Sequence, residues 1–267
     1  MPVTHAIDSL NKLLSTGDRE GRVWLVGAGP GDVELLTVKA LRLLHQAEVV
    51  VYDRLVSEAV MAEVPASALC IDVGKQPGRH GLKQGEINQL LADLARGGRE
   101  VVRLKGGDPF IFGRGGEELA FLQQAQVRCE VVPGITAAVG CAAASNIPLT
   151  HRDCAQSLRL ITGHGRLGEP QLADRSYGDP RETLVFYMGL RWSASIAAQL
   201  QAQGRAGETP VAIVENGTRA DQRVLITSLA GLAQTVAQQQ PVSPSLLIVG
   251  EVVRYATAAQ QAAAAQA

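Results

Sequence analysis

The residues of this chain best suited to hold a ligand lie between Val101 and Glu118, a stretch reading V-V-R-L-K-G-G-D-P-F-I-F-G-R-G-G-E-E. Val101 to Leu104 has the apolar run of a buried strand's end. Gly106 and Gly107 stop it; lacking a Cβ, they allow φ > 0 and let a ligand approach the backbone. Asp108-Pro109 forces an extended or turn geometry. Gly113, Gly115 and Gly116 then bracket Arg114, and Glu117 and Glu118 open an acidic helix start. Loops at the carboxyl ends of strands in open α/β sheets are where ligands bind. An ordinary strand-to-helix turn needs one or two glycines, and this stretch has five.

Three further loops of this kind follow strand-like runs: Gly27 to Asp32 (G-A-G-P-G-D), Gly74 to His80 (G-K-Q-P-G-R-H) and Pro133 to Ala137 (P-G-I-T-A). The first invites a dinucleotide reading, which needs G-x-G-x-x-G opening a helix and an acidic residue about 20 positions on. Asp53 stands at a suitable distance. Pro30 after the second glycine and Asp32 in place of the third argue against a tight pyrophosphate cradle. Taken alone, the motif is equally a glycine turn between strand and helix.

The elements that must carry these loops follow from the hydrophobic pattern. Strands are expected at Arg22 to Gly27, Glu48 to Tyr52, Leu69 to Val73, Val101 to Leu104 and Cys129 to Val132. Between them, Leu36, Ala40, Leu43, Leu44 and Ala47 share one helical face, with Thr37 near the start. Ile87, Leu90, Leu91 and Leu94 share another, stopped by Gly97-Gly98. A third helix is expected from Glu117 to Gln124. This alternation predicts a parallel α/β sheet covered on both faces. Beyond about residue 145 the texture is mixed. Strands are expected at Leu158 to Thr162, Thr183 to Met188, Val211 to Glu215, Arg223 to Ser228 and Leu246 to Val249. Helices are expected at Ala194 to Gln203 and near Leu229 to Gln239. Asn216-Gly217 separates two strand runs as a hairpin would. The organisation expected is a polar leader over residues 1–20, an α/β lobe over 21–138, a mixed α/β lobe over 139–254 and an Ala/Gln-rich tail over 255–267. A cleft is expected between the lobes.

Composition narrows the function. The 267 residues carry 46% hydrophobic and 19% charged side chains, enough for a sizeable core. The net charge of −1, from 25 basic and 26 acidic residues, lacks the basic excess of a nucleic-acid binder. Cys70, Cys129, Cys141 and Cys154 form no C-x-x-C pair, and His151 before Cys154 adds only one more donor, so no metal site is expected. Reduced cysteines in a cytosol and the absence of an apolar leader predict a cytoplasmic protein. Val131 to Thr150 is uncharged, but Pro133, Gly134, Asn146 and Pro148 make it a strand end, a loop and a buried Ala/Gly helix rather than a membrane span.

The four loops together resemble the tetrapyrrole (corrin/porphyrin) methyltransferase family, from about Arg22 to Val252. G-x-G-P-G-D and G-G-D-P mark the family. D-R-L-V-S at Asp53 to Ser57, G-K-x-P-G-x-H at Gly74 to His80 and F-G-R-G-G-E-E at Phe112 to Glu118 are similar to its uroporphyrinogen branch. The resemblance implies two α/β lobes in a homodimer, with S-adenosylmethionine (SAM) folded in the interlobe cleft. It implies cofactor contacts from Pro30, Gly106, Gly107, Asp108, Ile111, Thr136, Ala137, Met188 and Gly217. The implied reaction is methylation of uroporphyrinogen III at ring carbons 2 and 7, giving precorrin-2 by way of precorrin-1 for siroheme, cobalamin or haem d1, with S-adenosylhomocysteine as by-product. Family members with a fused dehydrogenase/chelatase domain are far longer, so a standalone methylase is expected.

A macrocycle with eight carboxylates demands cationic partners, and arginine's planar fork suits carboxylates best. Arg114 and Arg152 are the expected ones, with Lys75, Arg79 and His80 as further candidates. The methyl donor is already activated, so the protein supplies alignment and a dry site. A proton must later leave the macrocycle. Arginine is a poor base; Glu117, one helical turn on, is a better one, or else a dipole-stabilising acid. Asp53 and Tyr187 are expected to orient groups or handle protons, and Met188 to pack against cofactor and substrate, although a strand-end Met is often core. The alternatives are a later precorrin methylase, an rRNA ribose methyltransferase of the same fold, or a non-catalytic SAM-binding module. No membrane or nucleic-acid partner is expected.

Overall fold

The computed structural model describes residues 20–74, 82–163, 168, 170, 172 and 175–256. The expected leader up to residue 19, the loop bearing Lys75, Arg79 and His80, and the tail beyond Ala256 lie outside the described residues. The chain forms two compact units, Met1–Thr136 and Ala137–Ala267.

The first unit runs β1 (Arg22–Gly27), α1 (Val38–His45), β2 (Val49–Tyr52), α2 (Glu58–Met61), β3 (Leu69–Asp72), α3 (Gln84–Arg96), β4 (Glu100–Lys105), α4 (Gly115–Gln124) and β5 (Arg128–Val132). Its five strands pair in the order β3-β2-β4-β1-β5, all parallel. Helical crossovers cover both faces, so the central strands β1, β2 and β4 bury side chains on both faces. Val23, Leu25, Val49, Val51 and Val101 pack with Ile87, Leu90, Leu91 and Leu94 of α3 and Leu122 of α4. Val26, Val50, Val102, Leu104 and Val132 pack with Ala40 and Leu44 of α1 and Val60 of α2. Full burial of each such Leu or Val contributes roughly 1.5–3 kcal/mol. Thr37 caps α1, its Oγ1 accepting the Ala40 N–H at 3.1 Å. Gly97 closes α3. Because the strands are parallel, the loops after β1, β2, β4 and β5 all leave from one edge of the sheet.

The second unit runs α5 (Ala137–Ala144), β6 (Ser157–Thr162), β7 (Glu182–Tyr187), α6 (Ser193–Ala202), β8 (Pro210–Glu215), β9 (Arg223–Ser228), α7 (Leu232–Gln239) and β10 (Ser245–Val249). The order is β6-β7-β10-β8-β9. Only β6 and β7 are parallel; the remaining pairs are antiparallel. This is the mixed sheet expected, packed through Leu184, Phe186, Ile213 and Leu247 onto Ile196 and Leu200 of α6 and Leu232 of α7.

Several boundaries differ from expectation. Helix α4 begins at Gly115, before Glu117, because Arg114 takes φ 60° and its carbonyl accepts the Glu117 and Glu118 N–H groups. Helix α7 begins only at Leu232, since Leu229 N–H still donates to Thr209 O and Ala230 N–H to Gly207 O. Strand β7 stops at Tyr187, leaving Met188 outside it at φ 56°. The hairpin at Asn216-Gly217 exists, but its connection spans residues 216–222, with Asn216 and Thr218 both at positive φ. Among the described residues no helix is long and apolar enough to cross a membrane.

Candidate active site

Three loops of the first unit meet backbone to backbone. After β1, Gly29 forms a two-residue antiparallel bridge with Gly107 of the loop after β4: Gly107 N–H donates to Gly29 O at 2.7 Å, and Gly29 N–H to Gly107 O at 3.2 Å. After β5, Gly134 N–H donates to Asp108 Oδ2 at 3.1 Å. Asp108 Oδ1 accepts the Phe110 N–H at 2.8 Å. A Cβ placed on Gly134 would lie 2.3 Å from Gly107 O, and one on Gly27 would lie 2.5 Å from Gly134 N. A Cβ on Gly115 would lie 2.4 Å from Pro109 O. The first task of these glycines is therefore to let strand-end loops touch one another, and ligand access is what remains at their rim. Asp108 likewise spends one lone pair of Oδ2 on the junction and one of Oδ1 on its own loop. Its other lone pairs remain for a ligand donor.

The loop after β2 covers this junction from the side. Leu55, 53% exposed, sits over Gly106, where an added Cβ would come 2.6 Å from Leu55 Cβ. Ser57 Oγ donates to Gly31 O at 2.6 Å, tying the loop to the one after β1. Phe110 and Phe112 are also exposed on the β4 loop, Phe112 at φ 52°. Asp53 accepts the Leu55 N–H at Oδ1 (3.1 Å) and Arg103 Nη2 at Oδ2 (3.3 Å).

Arg114 and Glu117 form an exposed bidentate pair, with Nε to Oε1 at 2.9 Å and Nη2 to Oε2 at 2.6 Å. The guanidinium's hydrogen bonds hold the Glu117 carboxyl below its ordinary pKa, which weakens it as a base while the pair persists. Pro30 and Ile111 lie half-buried in their loops.

Beneath the loops is a buried charge cluster that the motif reading missed. Glu118 is fully buried, and its Oε1 accepts from Arg103 Nε (3.2 Å), Lys105 Nζ (3.1 Å) and Gln84 Nε2 (3.1 Å). Its Oε2 has no partner among the described residues. Burial pulls the Lys105 ammonium below its ordinary pKa; Arg103 adds to this, and Glu118 opposes it. The signal was present in V-V-R-L-K: two cations inside an apolar strand, with acids ten and more residues on.

In the second unit, Tyr187 was expected to orient groups or handle protons. It is only 9% exposed, and its hydroxyl oxygen accepts the Ala138 N–H at 3.0 Å in the first turn of α5. The phenol thus helps to fix the first turn of α5, an orienting role. Met188 is 53% exposed at positive φ, not core. Gly217 packs on α5, where an added Cβ would lie 2.1 Å from Cys141 Sγ. So Thr136-Ala137, Met188 and Gly217 are linked through α5 and Tyr187. Arg152 is exposed in the turn 151–155, whose His151 stacks on Tyr255 at 4.6 Å.

The donor set suits a cationic ligand better than a phosphate. The segment after β1 is a short 3-10 turn (Val33–Leu35) whose N-cap carboxylate, Asp32, accepts the Glu34 N–H at 2.9 Å where a pyrophosphate would need that donor. Asp108 places a second carboxylate on the junction. Two carboxylates suit an ammonium-bearing ligand better than a pyrophosphate.

A profile of the tetrapyrrole (corrin/porphyrin) methylases matches residues 22–233. The chain is 52% identical over 240 residues to a siroheme synthase of Pseudoalteromonas translucida, covering 90% of this chain and 51% of that protein. It is 55% identical over 252 residues to siroheme synthase 1 of Aeromonas hydrophila, covering 94% and 54%. The chain thus spans about half the length of the curated relatives it matches. Among solved structures it is similar to a uroporphyrin-III C-methyltransferase of Thermus thermophilus complexed with S-adenosylhomocysteine, at 44% identity and TM-score 0.76, covering 88% of this chain and 94% of that one.

Proposed function

This chain belongs to the tetrapyrrole (corrin/porphyrin) methylase family, and from that premise we propose that it methylates uroporphyrinogen III at ring carbons 2 and 7, using SAM, to give precorrin-2 by way of precorrin-1. The observation that carries the reading is the three-loop junction of Gly29, Gly107 and Gly134 around Asp108, in a chain so similar to a methyltransferase complexed with S-adenosylhomocysteine. Pro30, Gly106, Gly107, Asp108 and Ile111 would hold the cofactor from the first unit; Thr136, Ala137, Met188 and Gly217 would do so from the segments linked by α5. When bound, SAM supplies a methyl group already activated on a sulfonium, so the residues are asked for alignment and exclusion of water.

Arg114 presents its fork to Glu117 in the geometry a substrate carboxylate would use. A propionate or acetate of the macrocycle can take Glu117's place. Glu117 then loses the hydrogen bonds that depress its pKa and becomes a better acceptor for the proton the macrocycle must lose. Asp53, partly exposed on the loop whose Leu55 covers Gly106, is the other candidate acceptor. Arg152 supports a second carboxylate contact. We further place the protein as a cytoplasmic homodimer, serving siroheme, cobalamin or haem d1 synthesis.

The test is incubation of the purified chain with uroporphyrinogen III and SAM under anaerobic conditions, followed by mass spectrometry. A doubly methylated product is expected. SAM binding without methyl transfer would remove the assignment and leave a binding module.

A further inference from the structure

Asp53 is held by a buried chain of charges whose length exceeds what tying two strands together requires. Arg103 lies on β4 opposite Val51 of β2, with its side chain 4% exposed. Its Nη1 donates to Val51 O (3.4 Å) and Leu104 O (3.1 Å), its Nε to Glu118 Oε1 (3.2 Å) and its Nη2 to Asp53 Oδ2 (3.3 Å). The planar guanidinium is thus fixed by acceptors on β2, β4 and α4 at once. Its remaining N–H face ends on a carboxylate that is 25% exposed at the loop edge. Glu118, fully buried, is anchored in turn by Lys105, which directly precedes Gly106 and Gly107. Leu55, two residues beyond Asp53, closes over Gly106. The Asp53 loop and the Gly106–Asp108 loop therefore stand on the same charged pedestal.

A buried ion cluster is a costly way to join strands, since apolar residues of similar volume hold them as well or better. What the cluster adds is direction: it holds Oδ2 of Asp53, while the Leu55 N–H of the loop itself holds Oδ1. We propose that Arg103 and Glu118 are positioning residues for Asp53, aiming its carboxylate at the substrate side of the glycine loop. This inference rests on the methyl-transfer reading above. Lysine at 103 keeps the charge but cannot reach three elements at once. Glutamine at 118 keeps the shape but not the charge.

The experiment compares Arg103→Lys, Glu118→Gln, Asp53→Asn and the double variant Asp53→Asn/Arg103→Lys in the full chain. Each is measured for thermal unfolding, SAM affinity by calorimetry, and kcat and KM with uroporphyrinogen III. Arg103→Lys is expected to lower kcat at least tenfold, with SAM affinity within about threefold of the parent. In the Asp53→Asn background it is expected to cause no further loss, because the group it positions is already gone. Losses that multiply in the double variant, or an unchanged kcat in a folded Arg103→Lys, overturn the proposal. If Arg103→Lys does not fold, Glu118→Gln is read by the same criteria. A crystal structure of the Arg103→Lys or Glu118→Gln protein supplies a readout free of turnover: Asp53 retaining its position in both would overturn the proposal. An inactive parent chain, by contrast, would sink the methylase assignment and leave the structural readout to decide the positioning role.

Discussion

The loop junction makes two glycine-to-alanine substitutions differ in sign. Gly134 does not have a positive φ, so alanine meets no backbone penalty there, only a steric one. Its Cβ would stand 2.3 Å from Gly107 O and 2.8 Å from Gly27 Cα, against an ordinary contact of 3.4–4 Å. Both neighbours are backbone, so the loops after β1, β4 and β5 must separate by about 1 Å. Overpacking of this kind costs about 1–3 kcal/mol. The retreat also stretches the Gly134 N–H to Asp108 bond and the Gly29 N–H to Gly107 O bond, worth about 1.5–3 and 0.5–1.5 kcal/mol when fully lost. A destabilisation of about 3–5 kcal/mol is expected for Gly134→Ala, roughly 10 °C in Tm, with loss of SAM binding. Gly116, in the first turn of α4, has nothing within 4 Å of an added Cβ. Gly116→Ala should stabilise by about 0.5–1 kcal/mol through helix propensity. Urea unfolding and thermal melts of the two variants are the assay. A Gly134→Ala protein as stable as the parent, or a Gly116→Ala protein less stable than Gly134→Ala, would refute the packing argument.

Arg114→Lys should keep SAM affinity but lower turnover by ten- to a hundredfold, because a point charge replaces the bidentate fork; unchanged turnover would remove the substrate role. The same substitution should raise the Glu117 carboxyl pKa toward its ordinary value, seen by NMR titration. While the pair is intact, its stabilisation is present above the ordinary carboxylate pKa and is lost as pH falls through the lowered one. Tyr187→Phe should cost about 1 kcal/mol through the lost Ala138 hydrogen bond while leaving kcat intact; a folded variant without turnover would point to a proton-handling role instead. Burial pushes the Cys129 and Cys141 thiols up to about 12 and about 11. Iodoacetamide at pH 8 should therefore label exposed Cys70 first and those two only on unfolding, as read by peptide mass spectrometry.

Much of the first unit was legible before any coordinates. Parallel strands buried on both faces leave short apolar runs, and amphipathic helices leave a 3.6-residue stripe, so β1 matches its expected span residue for residue and α1 carries its Thr37 cap. The glycine-bearing loops after β1, β4 and β5 were equally visible, because only glycine tolerates such close backbone approach. The sequence alone therefore determined the strand–helix alternation, the family resemblance and the stretch on which the site is built. Tertiary structure decided which job each residue does there. It showed the glycines meeting each other before any ligand, Tyr187 bonded to α5, Arg114 pairing with Glu117, and Arg103 reaching from β4 to Asp53 through a cluster with Glu118 and Lys105. Of these, only Arg114 and Glu117, three residues apart at one helix start, have a spacing that periodicity can reveal. The other contacts join different elements that only the tertiary fold brings side by side, and a charge buried in a strand has no periodic signature to betray its partner.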